Sequence, residues 1–251
     1  PTFIHLLRRE IVEHRNGMLL TPAIIAALLA LALIFGSITG TEVLHFKMDQ
    51  AEQAIELQEL QEEMNEVMPE IKAGLGLALH VLALPMLAIA MIVAAFMLLG
   101  SLYDERSERT ILFWKSMPVS DTMTVLSKLT TGALLIPAAA MIAGFALQII
   151  ALIVFAVFGT ANSLPIGFNI FGMAPLIQVW WNTTILLIFG ALWAAPLLSW
   201  LVLASALAPR TPFLFAVVPI ATIALFEGFL NESAWFLQQI ADRFLGAGLF
   251  E

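Results

Sequence analysis

The sequence has no cysteine and only four histidines among its 251 residues. Disulfides and thiolate metal sites are therefore excluded. Charge is scarce as well. Asp, Glu, Lys and Arg make up 12% of the chain, against about 25% in ordinary soluble domains. Apolar residues make up 61%, and the mean hydropathy is +0.94. That balance excludes an ordinary soluble domain and predicts an all-α polytopic membrane protein. The net charge of −8 argues against nucleic acid as a partner. His5, His14, His45 and His80 share no helical ligand spacing. No Gly-rich phosphate loop and no GxSxG elbow is present. The chain is expected to be no enzyme and to bind no metal or cofactor itself.

What is present is a set of long apolar runs. A spanning helix needs about 20 mostly apolar residues. Five segments qualify, at Met18–Ile38, Gly76–Gly100, Leu129–Phe158, Val179–Leu207 and Pro212–Leu230. Pro137, Pro196 and Pro219 fall inside them and are expected to mark kinks. An odd number of spans, followed by an amphipathic stretch over 231–251, predicts a sixth span beyond Glu251. Residues 1–251 read as one transmembrane domain.

Lys and Arg set the expected orientation. With the N-terminus inside, the inner segments hold Arg8, Arg9, Arg15, Arg106, Arg109, Lys115, Lys128 and Arg210. The outer ones hold only Lys47, Lys72 and Arg243. This predicts a multi-pass protein of a bacterial cytoplasmic (inner) membrane with its N-terminus cytoplasmic. Residues 1–16 read as an amphipathic interface helix, with Ile4, Leu7 and Ile11 on one face and His5, Arg9 and Glu13 on another. Arg8, Arg9 and Glu13 are its candidate contacts. The outer loop 40–75 carries nine acids and two lysines. Leu57, Leu60, Met64, Val67 and Ile71 recur there at alternating spacings of three and four, which predicts an amphipathic helix ending at or just after Pro69. It reads as a solvated helix, as a platform for an outside partner, or as an acidic lure for cationic substrates.

Eight of the thirty charges lie between Ser101 and Leu129: Asp104, Glu105, Arg106, Glu108, Arg109, Lys115, Asp121 and Lys128. This island (101–128) joins the second and third spans. Its first turn, TyrAspGluArgSerGluArg, is charged. An apolar step containing Phe113 and Trp114 then ends at Pro118, and Ser120 and Asp121 are placed to cap the next helix. Exposed Trp and Arg are favoured anchors at protein contacts, while Trp also suits a headgroup belt. Inside the spans, ionisable groups are nearly absent. Gln148 and Glu227 are the candidate substrate or gate residues.

The run LeuTyrAspGluArgSerGluArgThrIleLeuPheTrpLysSerMetProValSerAsp (102–121), with LeuSerLysLeu after it, resembles the cytoplasmic loop of type-2 ABC exporter permeases. In that family the loop is a coupling helix seated in an ATPase subunit. The resemblance implies such a role for Asp104, Glu105, Arg106, Arg109, Phe113, Trp114, Lys115 and Pro118. It also implies six spans, a second permease copy as partner, membrane lipids around the spans, and ATP with Mg held by the partner ATPase. The expected function is ATP-driven export of an amphipathic substrate, for instance an antimicrobial compound or peptide. The competing expectation is a non-transporting assembly subunit that recruits an external partner.

Overall fold

A computed structural model describes residues 2–48, 57–110, 119–162, 167–231 and 235–245, and every statement of structure below concerns these. They contain helices and no strand. In chain order these are α1 (Thr2–Glu13), a π-turn at Asn16–Leu20, α2 (Thr21–Met48), α3 (Leu57–Ser107), α4 (Asp121–Thr130) and a π-turn at Thr131–Leu135. There follow α5 (Ile136–Ala161), a 3-10 turn at Gly167–Asn169, α6 (Ile170–Met173), α7 (Leu176–Leu207), α8 (Pro212–Asn231) and α9 (Trp235–Leu245). Five helical stretches are long and apolar enough to cross a membrane: Asn16–Thr39, Pro69–Ser107, Asp121–Ala161, Leu176–Leu207 and Pro212–Phe229. The chain is a multi-pass membrane protein by this measure. Large apolar side chains stand outward along these helices, among them Ile177 at 84% and Phe229 at 87% exposure. Water does not tolerate so continuous an apolar surface, and a bilayer does.

The buried faces are lined by small residues and a few polar ones. On α3 the buried positions Leu79, Ala83, Met86, Ala90, Ala94, Met97 and Ser101 recur every three or four residues and end at Glu105. Lipid tails are as apolar as leucine, so close backbone approach and internal hydrogen bonds hold such helices together. Gly132 shows how close that approach is. A Cβ there would lie 2.8–2.9 Å from Cγ and both Cδ atoms of Leu98, a side chain with no exposure.

One expectation is corrected. The acidic helix does not end near Pro69, because α3 runs unbroken from Leu57 to Ser107 through Pro69 and Pro85. Each proline removes only one N–H from a helix of 51 residues, which its neighbouring turns can carry. The side chains of the seam up to residue 68 lie outside the described residues. Two other prolines are preceded by widened turns. The π-turns end two residues before Pro22 and Pro137, and each contains the carbonyl four residues before its proline, that of Met18 or Ala133. The ring would press on that carbonyl in a regular helix, and a wider turn relieves the contact.

Contacts divide the chain into two units: Pro1–Leu19, Ile89–Ala139 and Ile185–Glu251, and Leu20–Ala88 with Ala140–Thr184. In the second, Leu79, Leu152, Ala156, Ile170 and Val179 form the core. Gln148 is fully buried beside it. It donates through Nε2 to the Leu79 carbonyl at 2.9 Å and accepts from Trp180 Nε1 at 2.8 Å, while Phe145 stacks on Trp180. In the first unit, Leu99, Ala204 and Ala216 pack together, and α1 packs on α4.

Replacing Gly132 with Ala should cost about 1–3 kcal/mol through overpacking against Leu98. The check is a lowered melting midpoint in detergent, with Gly36→Ala, where a Cβ meets nothing within 4 Å, leaving the midpoint unchanged.

Candidate functional site

The first unit gathers charges at the end of α3. The buried stripe of α3 reaches Glu105 one turn after Ser101, so this carboxylate is carried inward, at 6% exposure. On α1, Glu10 lies one turn beyond buried Leu6 and is 1% exposed. Lys128, in the last turn of α4, is also 1% exposed. Lys128 Nζ lies 3.0 Å from Glu105 Oε1 and 3.2 Å from Glu10 Oε1. Arg9 pairs through Nη2 with Glu105 and lies 3.5 Å through Nε from Glu13. Two cations and two buried carboxylates thus join α1, α3 and α4 across sequence separations of 96 and 118 residues.

The next residue faces elsewhere, since successive side chains on a helix are about 100° apart. Arg106 Nη2 donates to the carbonyls of Ser205 at 2.9 Å and Ala208 at 2.8 Å. These lie at the C-terminus of α7, where carbonyls lack helical donors and a cation is favoured by the helix dipole. Ser205, fully buried, accepts through Oγ from the backbone N–H groups of Leu102 and Tyr103, both at 3.0 Å. The adjacent pair Glu105–Arg106 therefore ties α3 to α1 and α4 on one side and to α7 on the other.

The remaining predicted residues divide clearly. Asp104 is exposed, and neither it nor Glu108 has an ion-pair partner among the described residues. Arg109 is exposed and closes α3 in the left-handed region at φ 60°. Such a conformation is costly for a side-chain-bearing residue and common where a helix stops. Thr110 Oγ1 then donates to the Glu105 carbonyl at 3.2 Å. Phe113, Trp114, Lys115 and Pro118 lie outside the described residues. Beyond them Ser120 caps α4 as expected, its Oγ accepting from Met123 N at 3.3 Å, with Asp121 in the first turn.

On α1, Arg8 and Glu13 are exposed and Arg9 enters the cluster. The buried residues of this helix are Leu6 and Glu10, while Leu7 and Ile11 are half-buried and Ile4 is 69% exposed. The ionic partners hold Glu10 inward. Gln148 is spent within the second unit, as described. Glu227 accepts from the backbone N–H of Phe236 at 2.9 Å, at the start of α9, so it acts there as a helix cap. Sequence reasoning missed Glu10 and Ser205, and counted Lys128 among the island's charges without placing it in a site. For Glu10 a signal existed, a carboxylate one turn from Leu6 on a packed face; for Ser205 there was none.

A cavity of about 390 Å³ opens beside the cluster, lined by Arg9, Glu13, His14, Asp104, Glu105 and Glu108, with Ser101 and Thr110. Its charged walls are mainly acidic, with four carboxylates against Arg9. No family model, curated protein or solved structure matches this chain.

Burying Lys128 is tolerable only with both carboxylates beside it. Lys128→Met leaves Glu10 and Glu105 buried, with Glu10 deprived of its closest cation, and should cost about 3–5 kcal/mol. Adding Glu10→Gln should recover part of that loss, as read from melting midpoints of the single and double variants.

Proposed function

We propose that this chain is the membrane-spanning permease subunit of an ATP-driven exporter of the type-2 ABC kind. One observation carries the reading. The charged island is fastened near both ends to one buried cluster, through Glu105 and Lys128, and Arg106 ties its start to the end of α7. A push on the island therefore reaches α1, α3, α4 and α7 together, as a coupling element requires. Within that role, Asp104, Arg109, Phe113, Trp114, Lys115 and Pro118 form the surface that meets an ATPase subunit on the cytoplasmic side. Glu105 and Arg106 transmit its movement.

ATP and Mg belong to that partner. The N-terminus is cytoplasmic, α1 lies in the inner-membrane interface, and a second copy of the chain completes the path. The substrate is amphipathic, because the spans offer few polar groups and Gln148 is already engaged internally.

The test is affinity purification of the chain in mild detergent, with ATPase activity assayed on the eluate. An ATPase of about 25–35 kDa, the size of one or two ordinary domains, should co-purify and be lost on Trp114→Ala with Arg109→Glu. Glu105→Gln should keep the association and reduce substrate-stimulated hydrolysis. Recovery of the chain alone, or with an external protein only, contradicts the proposal and supports an assembly subunit.

A further inference from the structure

The buried cluster leaves one oxygen unsatisfied. Glu10 Oε1 meets Lys128, but Glu10 Oε2 is buried and has no hydrogen-bond partner among the described residues. Buried acceptors of this kind are rare, because an unmet acceptor forfeits its hydration. His14 Nε2 lies 3.8 Å from it, beyond hydrogen-bond reach. Glu13 lies beside them. One ligand atom from each of Glu10, Glu13 and His14 falls within 4.8 Å of the others. The spacing explains this, since positions 10, 13 and 14 share one helical face at i, i+3 and i+4.

The surrounding charge favours a further cation. Five carboxylates, Glu10, Glu13, Asp104, Glu105 and Glu108, gather here, and the cations Arg9 and Lys128 pair with Glu10, Glu13 and Glu105. Glu13 and His14 also line the cavity, which gives an entry path and room for an open coordination position. Two carboxylates and an imidazole suit zinc or a neighbouring transition ion; magnesium and calcium prefer oxygen ligands throughout.

We propose that Glu10, Glu13 and His14 form a transition-metal site on α1, with Glu10 Oε2, a Glu13 oxygen and His14 Nε2 as ligands and an open position toward the cavity. Ligands around zinc lie about 2.0–2.2 Å from the ion, hence about 3.3 Å from one another. Closing from 4.8 Å is within reach of the exposed Glu13 side chain and a rotation of the half-buried His14. The site rests on the cluster alone and stands independently of the transport reading.

The experiment is zinc titration by calorimetry, with metal analysis after desalting, on the full chain in detergent with a histidine-free tag. Binding of about one zinc per chain is expected, with affinity falling at least about tenfold in His14→Ala and in Glu13→Gln. The exposed His5→Ala should bind as the wild type does, and excess magnesium should not compete. Absence of saturable binding up to about 100 µM zinc, equal loss in His5→Ala, or unchanged binding in Glu13→Gln overturns the proposal. Glu13 is exposed, so its variant remains decisive even where His14→Ala fails to fold.

Discussion

The arrangement depends on keeping the Lys128 ammonium almost entirely out of solvent. An isolated charge at 1% exposure would forfeit several kcal/mol of hydration, and mutual attraction offsets this only when partners are correctly placed. Here the partners are Glu10 from α1 and Glu105 from α3, with Arg9 balancing the second carboxylate. None of the three helices can settle in the cluster without the others. Arg106 extends the dependence to α7 by meeting its terminal carbonyls. A short peptide, Glu105–Arg106, thus fixes where the charged island leaves the membrane-spanning helices.

The second unit reaches the same end with neutral groups. Gln148 bridges the Leu79 carbonyl and the Trp180 indole, so a single amide serves three helices. Around it the contacts are small or apolar: Gly144 beside Ala83 and Met86, Ala156 beside Leu79. Where lipid supplies no hydrophobic pressure between helices, hydrogen bonds and close approach select one packing among many. The neutral bridge sits among apolar residues, and the ionic one borders an acidic cavity at the end of α3, where neighbouring groups can compensate charge.

The spans were legible because twenty or so consecutive apolar residues leave no other fold open, and all five appear, the second running from Pro69 to Ser107 and the third starting at Asp121, seven or eight residues outside the expected bounds. The cap at Ser120 was legible for a local reason, its hydroxyl lying three residues before the N–H it accepts from. Features set by distant partners were less so. The side of α1 that packs on the protein was not legible, because ion pairing with residues about a hundred positions away buries Glu10 beside Leu6, and the apolar face of Ile4, Leu7 and Ile11 marks only an interface helix. Pro69 was read as a stop because proline breaks isolated helices; inside α3 it is one missing donor among many. Glu227 drew attention as a lone carboxylate in an apolar run, yet its partner is a backbone N–H nine residues on. Lys128 shows both sides: its charge was visible, and its place on the buried stripe that continues through Gly132, Ile136 and Ala140 was readable only once that stripe was known.

The central claim is that the cluster makes the ends of α1, α3 and α4 one cooperative element. Amide hydrogen exchange read by mass spectrometry on wild type and Lys128→Met tests it directly. Protection should fall together over residues 3–13, 101–108 and 121–130, while the segments around Gln148 and Trp180 keep theirs. Loss confined to the turn around residue 128, with α1 and the end of α3 unchanged, would contradict the account.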